Sequence, residues 1–132
     1  MIYLDNGSTA FPKAPGVGEA MLDYVNCVGV NVGRGSYGAA YEAAETVLEV
    51  RERLCRLFGF HRAENVIFTG GVTAALNQLL KGLLRPGDRA AATSMDHNAV
   101  LRPLSQLAEE GVETEIVPCG PDGSLDLNRL ED

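Results

Sequence analysis

Residues 65–77, NVIFTGGVTAALN, set a short apolar run, a glycine pair and an amphipathic stripe end to end, and few folds accept that order. Asn65, Val66, Ile67 and Phe68 form a run rich in β-branched and aromatic side chains, which predicts a buried strand. From Thr73 onward, Ala74, Leu76, Leu79, Leu80 and Leu83 recur at helical spacing. Thr69, Gly70, Gly71 and Val72 must then make the turn. Two glycines admit backbone angles that other residues resist and let a ligand come close to the main chain. The free N–H groups and positive dipole end of the following helix would favour a phosphate or a carboxylate. A glycine pair can equally serve only to tighten a loop. The stretch lacks the third glycine of a dinucleotide fingerprint and the Gly-Lys-Ser/Thr ending of a nucleoside-triphosphate loop, so tight turn and anion cradle both stand.

The same order recurs downstream. Arg85, Pro86, Gly87 and Asp88 make a turn, residues 89–93 read as a small-residue strand, and residues 94–98 form the next loop. A helix is expected over 99–110, with Pro103 tolerable only near its first turn. Residues 112–117 alternate as V-E-T-E-I-V, the pattern of a strand with one wet face near a sheet edge. Pro121, Asp122 and Gly123 turn the chain, and Asp126 is placed to cap a helix from Leu127. Strand and helix in alternation predict an α/β fold, a twisted sheet joined by crossovers and covered by helices. Ligands in such sheets bind outside the carboxyl ends of the strands. That rule sets the 69–73 turn and the 94–98 loop, with His97, on one rim as one candidate site.

Upstream, Ile2, Tyr3 and Leu4 read as a brief extended segment before a polar turn at residues 5–9. Pro12 and Pro15 open a helix through about Asn26, with Val17, Met21, Leu22 and Val25 on one face. Residues 31–36 form an irregular loop that carries Asn31 and Arg34, and Ser36 is placed to cap the next helix. That helix is expected over 39–58, with Ala43, Val47, Val50, Leu54, Leu57 and Phe58 on one stripe and Gly59 at its end. Its charged residues belong to a solvated face, with Glu49 and Arg53 spaced to pair.

Composition narrows the partners. A net charge of −7 over 132 residues, with no basic block, argues against nucleic acid. No apolar run approaches the roughly 20 residues that span a bilayer, and the first residues lack the pattern of a signal peptide, so no membrane and a cytoplasmic location are expected. Cys27, Cys55 and Cys119 are odd in number and lack metal or redox spacing, so all three are expected reduced and no metal site is predicted. Cys55 lies on the apolar side of its helix, where a small buried hydrophobe is the expected role.

Taken together, YLDNGST at residues 3–9, FTGGVTAALN at 68–77, TSMDHNAVLRPL at 93–104 and PDGSLDLNRL at 121–130 resemble the class V aminotransferases, nearest the cysteine desulfurase and selenocysteine lyase group. The resemblance implies pyridoxal 5'-phosphate, the fold type I architecture, a homodimer, and conversion of L-cysteine to L-alanine with an enzyme-bound persulfide. This chain would hold the first part of the large cofactor-binding domain (residues 39–132), preceded by an N-terminal helical segment with an active-site loop (1–38). Gly71, Val72 and Thr73 match the phosphate turn, and Asn77 matches a position near the cofactor. His97 matches the histidine that covers the ring and assists proton transfer. Asn31 and Arg34 fall on the substrate-side loop.

The chain also departs from the pattern. Where relatives carry T-S-G-A-T-E or T-S-N-A-T-E, it reads Thr69-Gly70-Gly71-Val72-Thr73-Ala74, and Tyr37 stands where a histidine is common. By family order, the aspartate at the ring nitrogen, the Schiff-base lysine and the persulfide cysteine would all follow Asp132. Lys13 and Lys81 match neither role, so these 132 residues are expected to be inactive alone. A sulfur-acceptor protein is a further expected partner. A non-catalytic anion-binding or subunit-pairing module, and transamination or epimerisation within the family, are the alternatives.

Overall fold

The computed structural model describes residues 2–125, and the chain divides into two compact units, Met1–Ile67 and Phe68–Asp132. The expected helix at Asp126 and Leu127 lies outside the described residues.

In the first unit, residues 2–4 join no ladder, and Ile2 and Leu4 are exposed. Helix α1 (Val17–Asp23) starts later than Pro12 and Pro15 suggest, because Gly16 enters it in the left-handed region at φ 86°. It runs on into one π turn, Tyr24–Val28, slightly past the expected end. Its predicted apolar face at Val17, Met21, Leu22 and Val25 is exposed.

Helix α2 (Gly38–Phe58) forms where the stripe predicts it and stops at Gly59, whose φ of 72° is the left-handed conformation that glycine adopts without strain. The Cys55 carbonyl accepts the N–H groups of both Gly59 and Phe60. Two details differ from expectation. Ser36 does not cap the helix; Tyr37 occupies the cap position, and no side chain bonds there. The buried residues are Ala40, Ala43 and Cys55, while Val50, Leu57 and Phe58 of the predicted stripe are exposed. Periodicity identifies which residues share a face, and the packed neighbour decides how much of it is covered. Cys55 is free and buried as expected, Cys27 is free and exposed, and the Glu49–Arg53 pair forms on the surface.

The predicted strand at residues 65–68 is not formed. A 3-10 turn, Ala63–Asn65, leads into backbone that joins no ladder, extended at Val66, and Ile67 is exposed. Strand propensity gives an extended chain; a strand also needs a neighbour to take its N–H and C=O groups, and among the described residues the sheet has two strands, both downstream.

The second unit carries helix α3 (Val72–Leu83), strand β1 (Arg89–Thr93), helix α4 (Asn98–Glu109) and strand β2 (Glu113–Val117). The strands are parallel, registered from Arg89 opposite Glu113 to Thr93 opposite Val117, with α4 as the crossover. The α/β architecture read from the sequence is therefore present here. Ala92, Leu104, Leu107 and Val112 form the core, with Leu80, Leu84, Ala90, Val100 and Leu101 packed on it. The small side chains of β1 let α4 lie close to the sheet.

Asp88 Oδ2 accepts the Arg85 N–H at 2.7 Å and closes the predicted turn. The Arg85 guanidinium donates to the Gly82 and Leu84 carbonyls at 2.9 Å each, satisfying acceptors that the end of α3 leaves open. Pro103 is the sixth residue of α4, beyond the first turn expected for it. Its ring is fully buried in the unit, and packing there offsets the hydrogen bond to Ala99 that proline cannot make. In β2 the alternation holds for exposed Glu113 and Glu115 but fails at Ile116, which is 47% exposed.

Candidate functional site

The turn before α3 has one residue in a conformation that demands glycine. Gly71 sits at φ 153°, while a Cβ added at Gly70 or Gly71 would meet nothing within 4 Å. Backbone angle therefore accounts for glycine at position 71, and open space lies over the turn. Thr69 Oγ1 donates to the Gly71 carbonyl at 3.0 Å and accepts the Gly71 N–H, which folds the turn on itself. The first intrahelical bond of α3 runs from the Ala75 N–H to the Gly71 carbonyl at 3.1 Å, and no side chain caps the helix. The N–H groups of Val72, Thr73 and Ala74 precede that bond, so the helix has no acceptor of its own for them. Open donors at a positive dipole end fit a phosphate.

The loop after β1 is held from three sides. Asp96 Oδ2 accepts the Thr93 N–H at 2.7 Å and the Thr93 hydroxyl at 3.0 Å. The Ser94 N–H donates to the Val117 carbonyl at 2.9 Å, and Ser94 Oγ accepts the Cys119 N–H at 2.9 Å, joining the loops that follow the two strands. His97 is the cap of α4, and its Nδ1 accepts the Ala99 N–H at 3.0 Å. An acceptor nitrogen carries no hydrogen, so the ring N–H falls on Nε2.

Thr73, Asn77 and Lys81 recur at one-turn intervals on α3, and with His97 and Arg102 of the α4 side they line one cleft of about 350 Å³. Among the predicted site residues, the structure thus brings Thr73, Asn77 and His97 together. Gly71 and Val72 lie in the turn beside it, with the Val72 side chain exposed. Asn77 Nδ2 donates to the Thr73 carbonyl at 2.9 Å, so the asparagine is engaged with its own helix. Asn31 and Arg34 belong to the first unit; Asn31 Oδ1 accepts the Gly33 N–H at 2.8 Å, and Arg34 is exposed. Lys81, expected on a solvated face, is exposed yet donates to Gln106 Oε1 across the cleft. Sequence reasoning included Ser94 and Asp96 in the candidate loop without a role for either, and missed Arg102. Asp96, three residues after Thr93, had the spacing of a turn-closing carboxylate, whereas Arg102 reaches the cleft only through the packing of α4 on α3.

Among the described residues no helix is long and apolar enough to cross a membrane, and no group of three or more His, Cys, Asp or Glu is arranged to hold a metal ion.

The second unit is thus an α/β domain with a parallel β–α–β unit, a glycine turn before α3, and a helix-capping histidine that shares one cleft with Thr73 and Asn77. The sequence matches the aminotransferase class-V family model over residues 2–132, and the chain belongs to that family, whose members depend on pyridoxal phosphate. It is 34% identical over 137 residues to a probable cysteine desulfurase of Halobacterium salinarum, an alignment covering 100% of this chain and 33% of that protein. It is 33% identical to a cysteine desulfurase of Serratia proteamaculans, over 98% of this chain and 33% of the relative. Among solved structures, the apo cysteine desulfurase from Thermococcus onnurineus superposes with a TM-score of 0.83 at 29% identity, over 98% of this chain and 33% of that one. A NifS-like protein superposes at 0.81 with 24% identity and shares the fold. The chain spans about a third of the length of these relatives.

Proposed function

We propose that this chain supplies the phosphate-binding and histidine-bearing part of a pyridoxal-phosphate cysteine desulfurase, which takes L-cysteine to L-alanine and an enzyme-bound persulfide. The observation that carries the reading is the convergence of Thr73 and His97 on one cleft beside an uncapped helix start. In this reading the N–H groups of Val72 and Thr73 bind the cofactor phosphate, and Gly71 shapes the turn that presents them. Asn77 steadies the Thr73 carbonyl from within the helix. His97 presents its Nε2–H towards the reacting side and moves a proton there. When bound, the cofactor supplies the electron sink for breaking the carbon–sulfur bond.

By the family resemblance, Asn31 and Arg34 belong to the substrate-side loop of the N-terminal segment (1–38), and residues 39–132 are part of the large domain. The lysine that holds the cofactor covalently is neither Lys13 nor Lys81, and these 132 residues are inactive alone. Lys13 is bonded to Thr9 and Ala10, and Lys81 to Gln106, in keeping with structural roles for both. The working enzyme is a cytoplasmic homodimer that passes sulfur to an acceptor protein. The substitutions at Gly70, Val72 and Ala74 relative to common family members bear on which amino acid it prefers.

The test is to titrate the full protein with pyridoxal phosphate and with pyridoxal, following cofactor absorbance and the release of alanine from cysteine. Pyridoxal phosphate should bind far more tightly. Gly71→Ala, forced into an unfavourable φ at a strain of roughly 1–3 kcal/mol, should reduce that phosphate advantage by about tenfold or more. Equal affinity for the two compounds, or no alanine from cysteine, sinks the proposal.

A further inference from the structure

We infer that Asp96 is a positioning residue of this site, holding the His97 ring in a single tautomer and place. The inference rests on the reading that His97 serves the cofactor. Asp96 Oδ2 accepts both the N–H and the hydroxyl of Thr93, at 2.7 and 3.0 Å, and the Asp96 N–H returns a bond to the Thr93 carbonyl at 3.1 Å. These three bonds close residues 93–96 into a ring anchored on the last residue of β1. Both partners are half-buried. Charged acceptors with two donors are the stronger class of hydrogen bond, and partial burial limits their competition with water.

His97 is the next residue, and its own carbonyl is taken by the Val100 N–H at 2.8 Å inside α4. Its main chain is thereby fixed on both sides. With the backbone at φ −67° and ψ 151°, the side chain reaches over the helix start, where Nδ1 accepts from Ala99. That leaves Nε2 as the ring nitrogen not engaged in the cap, on a residue that lines the cleft. Loss of the Asp96 carboxylate would free the approach to the helix, and the ring would exchange its Ala99 bond for water and populate both tautomers.

The test uses the full protein with ¹⁵N-labelled histidine. In the parent, His97 should show separate signals, Nδ1 as the unprotonated nitrogen and Nε2 as the protonated one. Asp96→Ala should draw the two signals together and raise the dissociation constant for pyridoxal phosphate about tenfold, the effect of losing roughly one hydrogen bond. Asp96→Asn, whose amide oxygen can still accept from Thr93, should restore both. If Asp96→Ala does not fold, Thr93→Val removes the hydroxyl bond alone and should move the signals the same way by a smaller amount. Unchanged His97 signals in whichever of these variants folds overturn the positioning role. Signals that merge while cofactor affinity stays constant overturn the assignment of His97 to the cofactor and leave the positioning role standing.

Discussion

His97 caps the helix it precedes: its Nδ1 accepts the Ala99 N–H at 3.0 Å, so one ring nitrogen serves the fold and the other is left for chemistry. His97→Ala should therefore lower stability by about 0.5–2 kcal/mol, the usual effect of losing a cap. His97→Asn keeps a capping acceptor without the ring and should recover most of that stability while leaving cofactor affinity low. Urea midpoints alongside cofactor titration read the two effects separately.

Gly35 packs its backbone where a side chain cannot go. A Cβ there would stand 2.5 Å from Tyr37 Cε1 and 2.7 Å from the Ala40 Cβ, whereas one at Gly38 would meet nothing within 4 Å. Gly35→Ala should cost about 1–3 kcal/mol through overpacking and disturb the neighbouring Arg34 loop. Gly38→Ala should be neutral or stabilising by up to about 1 kcal/mol. Thermal melts and hydrogen exchange across residues 31–40 compare the two.

Leu104 is 2% exposed in the core between α4 and the sheet. Leu104→Ala should destabilise by about 2–5 kcal/mol through lost contacts and a residual cavity. Ser105→Ala, next in sequence but exposed, should stay within about 0.5 kcal/mol. Denaturant unfolding with an unchanged slope checks both.

The Asp122 carboxylate accepts the Ser124 hydroxyl at 2.7 Å and the Ser124 N–H at 3.0 Å, and the hydroxyl bond first, then the backbone bonds, holds its pKa below the ordinary aspartate value. A lowered folded-state pKa means that the stabilising contribution is present above the unfolded value and is lost as pH falls through the folded one. Ser124→Ala should move the Asp122 titration up towards the ordinary aspartate value. NMR titration of the side-chain carboxyl carbon reads the shift directly.

Much of the fold was legible because local rules decide it. Gly59 stops α2 through a left-handed angle, the Arg85–Asp88 turn closes through a side chain three residues away, and β1, α4 and β2 form in the order the sequence predicts. The glycine turn was legible in the same way, since Gly71 adopts a φ of 153°. Less was legible of the site. His97 was singled out by its loop and by resemblance, yet its capping bond depends on a rotamer, and the grip of Asp96 on Thr93 emerges only once the loop has closed.

By itself, the sequence determined where the helices of the second unit and α2 lie, that glycine ends α2, and which family the chain belongs to, because these depend on neighbouring residues and on patterns along the chain. Tertiary structure decided what pairs and what is covered. Residues 65–68 have strand propensity but no partner strand among the described residues, so they join no sheet. Pro103 breaks a local rule inside α4, where burial offsets the missing bond. Thr73 and His97, 24 positions apart, meet on one cleft because α3 packs beside α4, a consequence of long-range contact that no local pattern specifies.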